Sequence, residues 1–383
     1  MSALRLLAGR DLRSGSESLA EHVGRLGPLP HPGSDLIETL VSSGLSGRGG
    51  ADFPVGLKWR AAASGPRGSA VVVANGAEGE PHSRKDRLLM TCRPHLVLDG
   101  AFLAARAIRA KEVILYIGEH HQSSRVAMER ALAERTGYER GQVRLFAAPA
   151  RYVAGDSSAA VHAVASGVAL PTTRKAASAM VQNVETLAHV ALIARSGVPS
   201  GTLLATVAGA VAHPGVIEIE SNRTLGEALS IAGGVTEPAR AILLGGYFGS
   251  WLELQRALDL RLDPLELKAA GLSLGCGVIG VLPQSRCAVC ETAGIMRYLA
   301  GESSAQCGPC YFGLRALADS CSRIAYEGAN PLDIGRLQRW AKDVAGRGGC
   351  RHPDGAVRFL RSALETFAPE FAHHPAHSAR RTA

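Results

Sequence analysis

The sequence predicts an α/β protein with two smaller modules behind its main domain, on three observations. Short apolar runs alternate with helical patterns over residues 69–148, as in a parallel sheet with helices on its faces. From Thr206 the texture changes to two short strands across a His-Pro-Gly turn, then a helix and another strand. From Cys287 to Phe371 the apolar spacing is helical throughout.

Residues 1–40 read as a lead-in, with one short amphipathic helix, "DLIETLVSSG", at its end. A main domain is expected over residues 41–202. It begins with a Gly-rich loop, "GLSGRGGADFPVGLKW", followed by the buried-strand run "SAVVVANG" and the polar loop "AEGEPHSRKDR". The helix "LVLDGAFLAARAI", the strand "EVILYIG", a helix through "SSRVAMERALAERTG" and the strand "QVRLFAAPA" come next. The Ser start and Gly stop of that last helix are proper end signals. Residues 203–265 fit a small β-grasp module. A transition with the apolar run "GVIGVL" leads to four helices over residues 286–371, and residues 372–383 are expected to be a disordered tail.

Composition narrows the functional classes. The 383 residues are 46% hydrophobic and 20% charged, which is globular and long enough for two or three domains. No apolar run approaches a membrane span, and no secretion signal opens the chain, so a cytoplasmic protein is expected. Six of the eight cysteines fall from Cys276 to Cys321, which suits reduced thiols better than a disulfide framework. The formal net charge of +8 is mostly scattered Arg without interleaved aromatics, so an anionic cofactor or acidic protein fits better than nucleic acid.

Three segments carry the chemistry. In "GRGGADFPVGLKW", Gly47, Gly49 and Gly50 let backbone N–H groups approach an anion, and Lys58 adds a point charge. The segment "NGAEGEPHSRKDR" crowds Asn75, Glu78, Glu80, Lys85, Asp86 and Arg87 onto a strand's C-terminal end, where open α/β sheets place ligands. Cys307 and Cys310 form a C-x-x-C at a helix start, and Cys350 follows in "GRGGCRHPDG". Close thiols plus one distant Cys within a helical module suit an iron–sulfur cluster, with zinc as the competing reading.

With these segments in hand, the chain resembles the flavin-bearing, NADH-oxidising subunit (the F or 51 kDa type) of the NADH:quinone oxidoreductase family. The match runs from Gly44 to Phe371 through "GRGGADFPVGLKW", "NGAEGEPHSRKDR", "ARYVAGDSSAA", "QNVETL" and "ESSAQCGPC". It implies a Rossmann-like FMN-binding domain, a small β-grasp, SLBB-like domain and a C-terminal four-helix iron–sulfur bundle. By position, the resemblance assigns Gly47, Arg48, Gly49, Lys58, Asn75, Glu78, Asn183 and Thr186 to FMN. Phe53 and Glu80 fall on the nicotinamide side. Cys307, Cys310 and Cys350 would hold a 4Fe–4S cluster, or a 3Fe–4S cluster if one ligand is lacking. Ser304 stands where the family has its first cluster cysteine, so the fourth ligand is left among Cys287, Cys290, Ser304 and solvent. A straight helix would carry Cys287 and Cys290 away from the cluster, and they could return only if the chain before Glu291 folds back.

Ala77 replaces a family Asp, Gly155-Asp156-Ser157 replace "GEE", and the connection "GVALPTTRKAASAM" is short. These changes touch the NADH side more than the flavin. The implied activity is electron transfer from NAD(P)H through FMN and the cluster to a ferredoxin-like protein or iron–sulfur partner subunit. The rival is a non-catalytic, cluster-carrying docking subunit.

Overall fold

A computed structural model describes residues 5–31, 35–65, 70–172 and 179–376. The chain divides into two compact units. The first comprises Met1–Leu170, Arg174–Thr206 and Val216–Asn222, and the second Pro171–Thr173, Val207–Gly215 and Arg223–Ala383.

In the first unit, β1 (Val71–Gly76), β2 (Glu112–Gly118), β3 (Val143–Ala148) and β4 (Ala179–Asn183) form a sheet of order β3-β2-β1-β4. All its pairings are parallel. The central strands β1 and β2 read as continuous apolar runs because both faces are covered. Val72, Ala74 and Leu115 belong to one buried cluster, and Val73, Ile114 and Tyr116 to another. On the first face the helices Pro94–Ile108 and Val184–Ser196 pack closely. Gly100 is required there, since a Cβ would lie 2.0 Å from the Leu187 carbonyl oxygen.

Chain order runs outward from β1 to β2 and β3, whereas β4 returns on β1's other side. The crevice beyond the C-terminal ends of β1 and β4 is therefore a topological switch point, where such sheets bind ligands. Asn75 and Asn183 stand opposite each other at those ends.

The lead-in holds more structure than expected. Besides Leu36–Ser42 it forms the helix Leu19–Leu26, whose Ser18 and Glu21 make a reciprocal capping box. That helix buries His22, which bonds Asp99 at 2.8 Å and Glu17 at 3.2 Å.

A second sheet contains β5 (Thr202–Gly209), β6 (Gly215–Glu220), β7 (Ala239–Leu244), β8 (Ser250–Glu253) and β9 (Val278–Pro283), in the order β6-β5-β9-β7-β8. The run "GVIGVL", expected as a transition beyond residue 265, is largely β9, antiparallel to β7. The small module thus extends past its expected boundary, because β9 supplies a central strand.

The helices Ala288–Gly301, Arg315–Glu327, Pro331–Val344 and His352–Thr366 match the four expected. A π-helical turn, Pro309–Leu314, precedes the second and carries Cys310. Residue 372 does not begin a disordered tail: the helix Ala368–His373 spans it, and His374 is buried. Residues 377–383 lie outside the described residues. No single helix among the described residues is long and apolar enough to cross a membrane.

Candidate functional site

The Gly-rich loop folds back on itself. The Gly47 N–H donates to the Phe53 carbonyl at 2.9 Å and the Val55 N–H to Leu45 at 2.9 Å, leaving Gly49 to Phe53 exposed at the tip. Gly49 sits against Asn183, where a Cβ would come within 3.3 Å of the Asn183 Cβ. The Arg48 N–H donates to the Thr186 hydroxyl at 2.8 Å. Loop and helix start are thereby locked together beside the switch point.

Asn183 caps the helix Val184–Ser196, its side-chain oxygen accepting from the Glu185 and Thr186 N–H groups. Its Nδ2 donates to Asp86 at 2.7 Å. The Asn75 Nδ2 donates to the Gly155 carbonyl at 3.0 Å. Thus Gly47, Arg48, Gly49, Asn75, Asn183 and Thr186, far apart in the sequence, converge on one crevice.

Lys58 is held by β4. It is largely buried and donates to the Val181 carbonyl of β4, and burial pushes its ammonium below the ordinary lysine range. Glu78, in a left-handed backbone conformation, turns its carboxylate onto the start of the helix Lys85–Cys92. It accepts from the N–H groups of Asp86 at 2.9 Å and Arg87 at 3.0 Å, from the Arg87 Nε at 3.0 Å and from the Ser83 hydroxyl at 2.7 Å. Glu78 therefore shapes the loop through its own contacts. Glu80 is buried and accepts from the Tyr152 hydroxyl at 3.0 Å, whereas Phe53 is 53% exposed.

Beneath the crevice lies a buried charge group. The Lys85 ammonium, 2% exposed, is 2.8 Å from Asp86 and 2.7 Å from Glu185. Burial opposes the charge of Lys85, but the two carboxylates hold it well above the usual lysine range. Burial likewise opposes ionisation of Glu185, yet Lys85 and His189 bring it down to about 2. Asp86 goes the other way, pushed up to about 7 by burial and by the charges of Glu78 and Glu185, against the pull of Lys85. The count explains the split: Arg87 serves Glu78, Lys85 serves Glu185, and Asp86 is the carboxylate left over.

Glu185 carries no signal of its own in "QNVETL", where only its neighbours match a flavin role. His121 has no sequence signal at all. It is buried beside the β1 and β2 ends, and burial together with His120 and Arg87 pushes it down to about 4.

This donor set fits FMN. Asn75 and Asn183 stand opposite each other at the switch point, a glycine permits close backbone approach, and the Arg48 Nε is buried without a hydrogen-bond partner among the described residues. That unpartnered donor and the desolvated Lys58 suit the flavin phosphate.

The thiols in the second unit form two groups. Cys307 and Cys310 interact, and the charge of Cys350 reaches Cys310. Burial opposes ionisation of Cys307, but N–H groups of Gly349 and Cys310 draw its thiol below the usual range. Burial and its two thiol neighbours push Cys310 up to about 12. Ser303, adjacent to the expected Ser304, is the serine whose hydroxyl acts on Cys310. Three clustered thiols with an oxygen beside them fit an iron–sulfur cluster. Cys287 and Cys290 are instead grouped with His374. They start the helix Ala288–Gly301, whose 14 residues separate them from Ser304 by about 20 Å. The fold-back that would return them to the cluster does not occur. Cys92 and Cys321 are buried, as core thiols are expected to be.

A parallel-sheet ligand domain, a small β module and a thiol-bearing helical bundle in one chain define a flavo-iron–sulfur oxidoreductase subunit. Residues 40–192 match the Nuo51 FMN-binding domain, 204–246 the SLBB domain and 288–374 the NADH-ubiquinone oxidoreductase-F iron-sulfur binding region. The chain is similar to the 51 kDa, F-type flavoproteins of NADH:quinone oxidoreductase. It is 28% identical to the F 2 subunit of NADH-quinone oxidoreductase in Rhizobium meliloti (strain 1021), covering 96% of this chain and 94% of that one. It is also 28% identical to the mitochondrial NADH dehydrogenase [ubiquinone] flavoprotein 1 of Dictyostelium discoideum, with 88% and 78% covered. Among solved structures, a chain of an NAD+-reducing NiFe-hydrogenase in its H2-reduced state superposes with a TM-score of 0.80 at 27% identity. That match covers 89% of this chain but only 62% of the hydrogenase chain.

Proposed function

We propose that this chain takes electrons from NAD(P)H and passes them to a protein acceptor, a ferredoxin-like protein or an iron–sulfur partner subunit, in the cytoplasm. The observation that carries the reading is the switch-point crevice, where Asn75 and Asn183 meet under the Gly47–Phe53 loop in a chain that also clusters Cys307, Cys310 and Cys350. Bound FMN would supply the exchange between a two-electron hydride donor and one-electron acceptors.

The chain's own residues bind and orient. Arg48 and Lys58 supply positive charge for a phosphate, while Asn75 and Asn183, their amides held by Gly155, Ala77, Asp86 and the start of the helix Val184–Ser196, shape the crevice wall. Lys85 holds Asp86 and Glu185, which fixes Asn183 from below. Phe53, exposed at the loop tip, offers an aromatic face to a nicotinamide or adenine ring. Glu80 is held by Tyr152, so its carboxylate is oriented before a nucleotide arrives. The basic net charge suits an acidic acceptor.

The test is anaerobic mixing of purified protein with NADH and with NADPH, followed by addition of a ferredoxin. Flavin and cluster absorbance should both bleach with one of the nucleotides and recover when ferredoxin is added. A cluster-bearing, flavin-containing protein that neither nucleotide reduces would contradict the reading.

A further inference from the structure

We propose that the C-terminal domain has a second metal centre, a zinc-type site formed by Cys287, Cys290 and His374, separate from the iron–sulfur cluster. Their donor atoms all lie within 4.8 Å of one another. Tetrahedral zinc with thiolate bonds near 2.3 Å and imidazole bonds near 2.0 Å needs separations of about 3.5–3.8 Å, so only small adjustments are required. The Cys287 Sγ is already 3.1 Å from the His374 Nε2.

His374 and Cys287 are held in ligating poses, while the Cys290 thiol donates to the Ala325 carbonyl at 3.9 Å. The His374 Nδ1 lies 3.1 Å from the Ile324 carbonyl oxygen. A carbonyl can only accept, so Nδ1 carries the proton and the Nε2 lone pair faces Cys287. Metal-binding histidines are commonly oriented in this way by a carbonyl behind the ring. The Cys290 N–H donates to the Cys287 Sγ at 3.3 Å, as it would to a thiolate.

The chemistry selects a soft divalent ion. Two thiolates and one neutral imidazole balance the 2+ charge, and binding releases the two thiol protons. Water would fill the fourth position. Zinc here would clip the start of the helix Ala288–Gly301 to the segment after the helix Ala368–His373, across the end of the helix Arg315–Glu327. That accounts for a buried histidine at position 374, where the sequence alone suggests a loose tail.

The site is independent of the flavin reading and is tested without it. Zinc and iron are measured on full-length protein, alongside Cys290→Ala, Cys287→Ser and His374→Gln, and chelator-treated protein is titrated with Co2+. We expect about one zinc per chain in the parent and about tenfold or greater loss of zinc in the variants. Iron content and the cluster's EPR signal should not change. The parent should develop thiolate-to-cobalt absorption that His374→Gln lacks. Cobalt uptake is read on intact parent protein, so it decides the matter even if a cysteine variant fails to fold. A parent that binds neither metal, variants that retain zinc, or iron lost together with these residues would overturn the proposal.

Discussion

Replacing Lys85 by methionine removes the ammonium that serves two buried carboxylates. In the parent, Lys85 lies 2.8 Å from Asp86 and 2.7 Å from Glu185, all three nearly inaccessible. Breaking a buried pair by deleting one partner costs about 3–5 kcal/mol, because an uncompensated charge is left behind. Glu185→Gln should cost only about 1–3 kcal/mol, since Lys85 then pairs with Asp86, the carboxylate that is in excess in the parent. The pH dependence separates these cases. The folded value of Lys85 is raised, so its contribution is complete below the ordinary lysine range and constant between about pH 6 and 8. Asp86 is raised to about 7, so its contribution is largest at low pH and is lost as pH rises through that value. Without Lys85 both carboxylates move further up, and the deficit of Lys85→Met should grow from about pH 6 to pH 8. Urea unfolding of both variants at the two pH values measures this. A Lys85→Met loss below about 1 kcal/mol, equal to that of Glu185→Gln, or shrinking toward the higher pH, would refute the charge count.

Lys58→Ala should lower flavin occupancy while leaving fold and iron intact. In the parent, flavin retention should weaken as pH rises through the depressed lysine value, because only the ammonium attracts phosphate. Equal retention by the variant, measured after gel filtration, would place the phosphate elsewhere. Steady-state kinetics should show weak or altered nucleotide preference, since Ala77 and Ser157 lack the family's acids; a low, strictly NADH-selective Michaelis constant would show other residues making those contacts. At the cluster, Ser303→Ala should change the EPR signal more than Ser304→Ala, because the Ser303 hydroxyl acts on Cys310. The reverse order would restore Ser304 as the oxygen neighbour.

The parallel sheet is legible in the sequence because β1 and β2 are buried on both faces and so read as unbroken apolar runs. The four C-terminal helices are legible from periodicity. What the sequence hides depends on long-range pairing. The run "GVIGVL" looks like a linker until β7 lies beside it. Residues near position 374 look like a tail until Ile324 and Cys287 meet the histidine. At the site, glycine and asparagine positions are readable as motifs, but side-chain direction is not. Lys58 and Glu78 carry the expected charges, yet they direct them to the Val181 carbonyl and to a helix start. Spacing alone leaves Cys287 and Cys290 open as cluster ligands, and only the intact helix between them and Ser304 separates the two thiol groups.

The measurement that bears most directly on the account is the flavin and iron content of the full chain purified without oxygen, read from its visible spectrum before and after NADH. The protein should release FMN on denaturation, carry iron and sulfide together, and show flavin absorbance that NADH bleaches. A brown protein with iron but no flavin, unable to take up added FMN, would contradict it and leave a cluster-carrying docking subunit.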